Sequence, residues 1–111
     1  MKYKQGDILI VPFPFSDLSS FKQRPVLVLS KTEDNEKSED LITCGITSRL
    51  KESSYSIVID SLSLSEGSIP GRSRVKVDKL FTLSKDIVIK KVARVNQATF
   101  ALVKTAFTQL V

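Results

Sequence analysis

The sequence predicts a mainly β fold, a small closed or partly closed barrel of five to six strands with a C-terminal amphipathic helix packed on it. Apolar stretches of strand length recur between irregular polar links, and a helical pattern occurs only near the C-terminus. The links are too short for the helical crossovers that a parallel sheet needs. With 111 residues, 41% of them hydrophobic and 26% charged, the chain is expected to form one domain over residues 1–111.

Two strands are expected in the N-terminal part of the chain. Residues 7–11 follow a glycine and are rich in Ile, Leu and Val, and two prolines in 12–17 end this strand. Residues 25–30, with the sequence PVLVLS, are apolar up to their final serine and predict a strand buried on both faces. The polar stretch 17–23 and the charged run 31–40 predict surface loops.

Three further strands are expected in the middle of the chain. Residues 41–48 and 55–60 predict strands joined by a polar turn at 49–54, whereas 61–71 contain Gly, Pro and Ser and predict a loop. Residues 73–80 alternate apolar and charged side chains, so this strand is expected to carry one charged face. Its apolar positions are Val75, Val77 and Leu80.

The C-terminal part predicts a strand and a helix. Residues 84–86 predict a turn or a single helical turn, and residues 87–95 predict a sixth strand, with a helix as the alternative. Asn96 is expected to cap the C-terminal helix. Apolar side chains follow it at helical spacing, which predicts an amphipathic helix laid on the core: Phe100, Val103, Phe107 and Leu110.

The residue types that are missing exclude several mechanisms. The chain has no histidine, which excludes Ser-His-Asp, Cys-His and paired-histidine chemistry. Its one cysteine, Cys44, cannot form an internal disulfide or a multi-cysteine zinc site, and its apolar neighbours predict a small buried side chain. Four glycines allow neither a P-loop nor a dinucleotide fingerprint. Neither a cofactor nor a metal site is therefore expected.

The N-terminal sequence and the hydropathy pattern predict where the protein resides. No apolar run approaches the roughly 18 residues that span a bilayer, and no signal peptide is recognised. We therefore expect a cytoplasmic protein that does not associate with a membrane.

The positive charge is unevenly distributed. The net charge is +5, but residues 31–40 hold five acids and two lysines, so the rest of the chain carries +8. A basic body predicts an anionic partner such as RNA. A solvated, solubilising surface is the alternative, and charge alone favours it.

Candidate functional residues lie at the ends of the predicted strands. Arg24 stands between a polar loop and a buried strand, where it presents a planar fork either to a phosphate or to a surface carboxylate. Thr47 and Ser48 end the third strand, and their hydroxyls either satisfy loop amides or donate to a substrate oxygen. Asp78 lies among basic residues, which predicts a structural ion pair.

Four sequence blocks together resemble the MazF/PemK-type toxins. They are GDILIVPF at 6–13, RPVLVLS at 24–30, ITS at 46–48 and VKVDKLFTL at 75–83. Their order and spacing match, and the resemblance covers nearly the whole chain. It implies the toxin of a toxin–antitoxin pair, a dimeric SH3-like barrel that cuts single-stranded RNA without a metal. The 2′-hydroxyl of the RNA is the nucleophile in this family, and a cyclic phosphate and a free 5′-hydroxyl remain.

The resemblance also implies roles for individual residues. Arg24 aligns with the catalytic arginine and Thr47 with the catalytic threonine of the MazF branch. The Arg-x-Asp triplet of the PemK branch is Lys76-Val77-Asp78 here, so the aspartate is kept and the arginine is replaced. An arginine is a poor general base because its pKa exceeds about 12, which leaves Asp78 as the best candidate base. The expected catalytic residues are therefore Arg24, Thr47 and Asp78.

Further residues are expected to bind the RNA and an inhibitor. The residues expected to contact RNA around the cut site are Lys22, Ser48, Arg49 and Lys76. Phe15 or Phe21 either stacks on a base or belongs to the core. The implied partners are single-stranded RNA, a second copy of the chain and a cognate antitoxin, whose acidic or amphipathic tail would lie across the basic face and displace loop 16–23.

Two alternatives to a nuclease remain open from the sequence. One is a barrel of the same family that binds RNA or an antitoxin without cleaving, and the replacement at Lys76 motivates it. The other is a translation-associated SH3-like module, which leaves the blocks around Arg24 and Thr47 unexplained.

Overall fold

The computed structural model describes residues 2–14 and 21–111, and in them seven strands join edge to edge in one antiparallel sheet. The strands are β1 (Asp7–Pro14), β2 (Phe21–Val28), β3 (Asp40–Thr47), β4 (Ser56–Ile59), β5 (Leu64–Gly67), β6 (Ser73–Ser84) and β7 (Lys90–Val95). The helices are α1 (Thr32–Lys37) and α2 (Gln97–Leu110), with short 3-10 turns at Ser61–Ser63 and Lys85–Ile87. None of the helices described is both long and apolar enough to cross a membrane.

The sheet is curled around a core that α2 closes. The strand order is β4-β6-β3-β2-β1-β7-β5, so β4 and β7 are far apart along the sheet. Ile59 of β4, Val95 of β7 and Val103 of α2 nevertheless belong to one buried cluster, which requires the sheet to bend round until its ends approach. The predicted mainly β fold with a C-terminal helix is confirmed. The described sheet has seven strands, however, where five or six were expected.

The central strands are buried on both faces. In β1 and β2, Ile8 and Leu27 face the cluster that α2 covers, whereas Leu9, Val26 and Val28 face a second cluster on the other side of the sheet. Successive side chains of a strand point to opposite faces, so an unbroken apolar run fills both cores. The prediction of a doubly buried second strand is confirmed for residues 26–28, but β2 begins at Phe21, within the predicted loop 17–23, and ends at Val28.

The predicted loop at 61–71 contains the strand that the sequence did not reveal. β5 pairs with β7, and Gly67 at its end has a φ of +76°, which favours glycine. A Cβ at this position would overlap the backbone of Val92 and Ala93. This four-residue strand, with the sequence LSEG, has no apolar alternation, and it is held instead by pairing with β7 and by ion pairs from Glu66 to β7.

The charged run 31–40 contains a short helix rather than only a loop. The side chain of Asn35 is 2% exposed, and its amide donates to the carbonyls of Tyr3 and Ser30, both at 3.1 Å. The Ser30 hydroxyl donates in return to the Asn35 side-chain oxygen at 2.5 Å. One buried amide therefore fixes α1 against the N-terminal segment, while the acids around it stay exposed as expected.

Strand β6 departs from the predicted alternation. Cys44 of β3 pairs with Leu80, but the next residue, Gly45, pairs with Lys76. Residues 77–79 therefore form a bulge that shifts the following side chains to the other face. Leu80 was expected to face the core with Val75 and Val77, but it is 43% exposed because it follows this bulge.

The C-terminal helix follows its predicted pattern closely. The side chain of Asn96 accepts from the Thr99 N–H at 2.8 Å, which confirms the predicted N-cap. Val103 is fully buried, and Phe100 and Phe107 pack against the same core. α2 lies against β4 and β6.

Candidate active site

The candidate site opens where strands β2 and β3 stop pairing. Their ladder covers Val26–Val28 of β2 and ends at the pair Val26 and Gly45. The next residue along β2 is Pro25, which has no N–H to donate to a ladder. Continuing the register would set Arg24 opposite Thr47, but here β2 stays with β1 and β3 stays with β6. Both side chains are half-buried and line the opening that this separation leaves.

Two adjoining cavities occupy this opening. The larger one has a volume of about 590 Å³. Six of the seven predicted site residues line it: Lys22, Arg24, Thr47, Ser48, Arg49 and Lys76. The smaller cavity, of about 220 Å³, shares Arg24, Thr47 and Lys76 with it. The structure therefore brings these residues to one cleft, although they come from three strands and a loop.

Arg24 has the environment of a side chain that binds an anion. It is half-buried, and no described residue forms an ion pair or a hydrogen bond with its guanidinium. The alternative raised by the sequence, an arginine paired with a surface carboxylate, is not seen among residues 2–14 and 21–111.

Thr47 accepts a hydrogen bond from a loop amide, and its own hydroxyl proton is not donated to any residue that the structure describes. Its hydroxyl oxygen accepts from the Arg49 N–H at 3.1 Å. This contact accounts for one of the two roles that the sequence left open. The hydroxyl hydrogen has no acceptor among the described residues, so it can be donated to an oxygen of a molecule bound in the cleft.

Asp78 lies apart from the other predicted site residues. It belongs to the bulge of β6, it is exposed, and it lines neither cavity. In regular alternation Asp78 would share a face with Lys76, but the bulge breaks that alternation. The expected structural ion pair is wrong for the described part of the chain, where no basic group reaches Asp78 within 4.0 Å.

Four residues that line the larger cavity were not singled out from the sequence: Lys51, Glu52, Ser53 and Arg74. Glu52 is the one carboxylate among the described residues that line the larger cavity, and Arg74 contributes a further guanidinium. The polar turn 49–54 could have suggested Glu52 because it follows directly on Thr47 and Ser48. Arg74 could have been found from its position two residues before Lys76, which places both on one face of a strand.

The cleft is strongly basic. Six of its described lining residues are Lys or Arg, against the single acid Glu52. Such a concentration of one charge attracts anions and raises their local concentration. Nowhere in the described part of the chain do three His, Cys, Asp or Glu side chains gather as they would to hold a metal ion.

Cys44 is buried, as predicted, and lies outside the cleft. Burial raises the pKa of its thiol to about 12, and the negative charge of Asp78 acts in the same direction. A thiol with this pKa is protonated at neutral pH and is inert as a nucleophile.

Two predictions concern parts of the chain outside the described residues. Phe15 and the side chain of Phe21 lie outside the described residues, as does the 16–20 portion of the loop expected to yield to an antitoxin.

Solved structures share the architecture. A MazE–MazF crystal structure from Deinococcus radiodurans superposes with a TM-score of 0.81 at 19% identity, covering 99% of this chain and 96% of that one. An endoribonuclease from a mycobacterial species, in complex with its cognate antitoxin, gives a TM-score of 0.76 at 19% identity over 96% and 92% of the two chains. The Mycobacterium tuberculosis toxin MazF-mt6 gives 0.74 at 16% identity over 93% of each chain. At these identities the likeness establishes the fold.

Sequence comparison establishes the family. Comparison with curated proteins gives no match. The profile of the PemK-like, MazF-like toxins of type II toxin–antitoxin systems matches residues 4–111, which is nearly the whole chain. The chain therefore belongs to the PemK-like, MazF-like toxin family.

Proposed function

We propose that the chain is a metal-independent endoribonuclease, the toxin of a toxin–antitoxin pair, which cuts single-stranded RNA by attack of the substrate's own 2′-hydroxyl. The observation that carries the proposal is the joint position of Arg24 and Thr47 in a basic cleft. Neither the guanidinium of Arg24 nor the hydroxyl proton of Thr47 is used by another described residue. Family membership supports the same activity.

The reaction requires three tasks at one phosphodiester. A base takes the proton of the 2′-hydroxyl as its oxygen bonds to phosphorus, donors stabilise the negative charge that develops on the phosphorane, and the 5′-oxygen takes up a proton as its bond to phosphorus breaks. The products are a 2′,3′-cyclic phosphate and a 5′-hydroxyl. In-line attack needs a backbone that is free to rearrange, which favours single-stranded over paired RNA.

Arg24 and Thr47 suit the task of stabilising charge. Donors aimed at a developing oxyanion each contribute on the order of 3 kcal/mol to transition-state stabilisation. The planar fork of Arg24 can give two such bonds to the non-bridging phosphate oxygens, and the Thr47 hydroxyl can give a third. Lys22, Ser48, Arg49 and Lys76 then hold flanking phosphates.

Two carboxylates compete for the role of general base. Glu52 lines the cleft with Arg24, whereas Asp78, the residue implied by the PemK-type triplet, is outside it. A base must come within hydrogen-bond reach of the proton it takes. We therefore place Glu52 first as the base and keep Asp78 as its rival.

The proposal includes the partners of a toxin. We infer that the chain forms a homodimer in the cytoplasm and that a cognate antitoxin covers the basic cleft with an acidic or amphipathic segment. The charge of the cleft is suited to such a segment. The second candidate function is binding of RNA or antitoxin without cleavage, which is favoured by Lys76 at the triplet arginine position and by Asp78 outside the cleft.

The experiment that tests the proposal combines metal removal with analysis of the product ends. Purified chain is incubated with a single-stranded RNA in EDTA, with Arg24→Ala purified in parallel as a control for contaminating nucleases. We expect the parent to cut and to leave cyclic phosphate ends, and the variant to leave the RNA intact. Cleavage that appears only when Mg²⁺ is added would refute metal independence. RNA binding without any cleavage would establish the second candidate.

A further inference from the structure

Arg74 is placed beside the proposed reaction centre by strand register. It pairs directly with Thr47 across β3 and β6, which sets their Cα atoms about 5 Å apart. Arg74 also shares its face of β6 with Lys76 and lines the larger cavity. The backbone of Arg74 is fixed by a sheet ladder, so its side chain projects from a rigid strand. The basic residues that follow Thr47 project from a loop instead.

The guanidinium of Arg74 is held in place by neutral groups. One terminal nitrogen donates to the Ser56 hydroxyl at 2.8 Å, and the other donates to the Leu50 carbonyl at 3.2 Å. Its Nε–H is buried and has no acceptor among the residues described. These two hydrogen bonds orient the fork and leave its other N–H groups without a partner in the described part of the chain.

The charge of Arg74 is not neutralised by any carboxylate that the structure describes. Within residues 2–14 and 21–111 no carboxylate lies within 4.0 Å of Arg74. Glu52 lines the same cavity but forms no ion pair with it. A half-buried cation held by neutral groups gains most from an anion that enters the cavity, and a side chain already oriented loses little freedom when the anion binds.

We propose that Arg74 is a further substrate-binding residue, which holds the backbone phosphate adjacent to the one at Arg24 and Thr47. This inference rests on the proposed function. Lys76 stands at the position of the arginine in the PemK-type triplet, and Arg74 supplies a planar guanidinium two residues earlier on the same face of β6. Arg74 thus aligns the strand across the cleft without taking part in proton transfer.

The test measures binding of a single-stranded RNA whose 2′-hydroxyls are all methylated, so that binding is measured apart from cleavage. Affinity is determined over a series of salt concentrations for the parent, for Arg74→Gln and for Arg72→Gln. Arg72 is exposed and lines none of the cavities found, so it is a matched control for charge. Loss of one phosphate contact lowers the slope of log affinity against log salt by about 0.7 for a single strand.

We expect Arg74→Gln to bind about tenfold more weakly, with the salt slope reduced by that amount, and Arg72→Gln to retain the parent slope. Ser56→Ala keeps the charge but removes one anchor, so it should weaken binding less and leave the slope unchanged. Thermal unfolding of each variant shows whether the variant is folded. A partly unfolded variant has less active protein, but its folded molecules keep the parent slope of log affinity against log salt.

The outcomes distinguish this inference from the proposed function. A parent that binds and cuts RNA while Arg74→Gln keeps the parent affinity and slope would overturn the role of Arg74 alone. A parent that neither binds nor cuts RNA would overturn the proposed function, and this inference would fall with it.

Discussion

Arg24 of β2 and Thr47 of β3 line the same two cavities because their strands stop pairing at Pro25. Up to Val26 the two strands form a regular ladder, so the register that packs the core also determines which residues meet at the opening. Pro25, which has no N–H to donate, thus ends the pairing of the two strands next to Arg24. The contribution of each cleft side chain to RNA cleavage can therefore be tested by single substitutions.

The hydroxyl of Thr47 is expected to be needed for cleavage. Thr47→Val keeps the shape but removes the donor, and we expect the cleavage rate to fall about 10²-fold. The variant also loses the acceptor for the Arg49 N–H, so it should unfold with a free energy lower by about 1 kcal/mol. Thr47→Ser retains both functions and serves as the control. A Thr47→Val variant with the parent cleavage rate would show that the hydroxyl takes no part.

The general base can be identified by comparing two conservative variants. We expect Glu52→Gln to lower kcat/KM by about 10²-fold or more, because its carboxylate lines the cleft. Asp78→Asn should keep the parent rate, since Asp78 lies outside the cavities. The reverse pattern would assign proton transfer to Asp78.

The periodic elements of this fold are predictable from the sequence. The unbroken apolar run of β2 and the helical spacing of apolar residues after Asn96 show which side chains are buried. Apolar side chains recur with the period of the strand or helix that buries them. β5 and α1 lack such a pattern. One is held by pairing with β7, and the other by the buried amide of Asn35, and both of these are contacts distant in sequence.

The part of the candidate site that lies at the ends of strands is predictable from the sequence. Arg24 and Thr47 flank apolar strands, and their meeting follows from simple antiparallel pairing. Asp78 illustrates the limit, because a bulge over 77–79 changes which face each later residue occupies. The sequence pattern does not single out Arg74, although regular register before the bulge places it opposite Thr47 and on the same face of β6 as Lys76.

A buried ion pair whose residues do not line the cleft is expected to be important for stability. The side chain of Asp7 is fully buried, and it accepts from Arg94 at 2.7 Å and lies 3.4 Å from the Lys91 ammonium. Asp7→Asn leaves two cations without their buried counter-charge, which should lower the free energy of unfolding by about 3 kcal/mol. Denaturant unfolding measures this loss. A change close to zero would mean that solvent replaces the aspartate.

The same cluster predicts a pH dependence. A hydrogen bond from Lys91, together with the charges of Arg94 and Lys91, lowers the pKa of Glu66 below its ordinary value of 4.5. Its contribution to stability is therefore complete above the pKa of the unfolded chain and is lost as the pH falls through the lower pKa of the folded state. Unfolding free energies of the parent and Glu66→Gln should differ at pH 7 and converge in acid. A constant difference between them would contradict this assignment.

The most direct test of the account compares RNA cleavage by Arg24→Ala and by Arg72→Ala, each with an unfolding curve to establish that the variant is folded. We predict that Arg24→Ala lowers kcat/KM about 10³-fold, that Arg24→Lys recovers a part of it, and that Arg72→Ala cuts like the parent. Cleavage by folded Arg24→Ala at the parent rate would contradict the central role of this guanidinium.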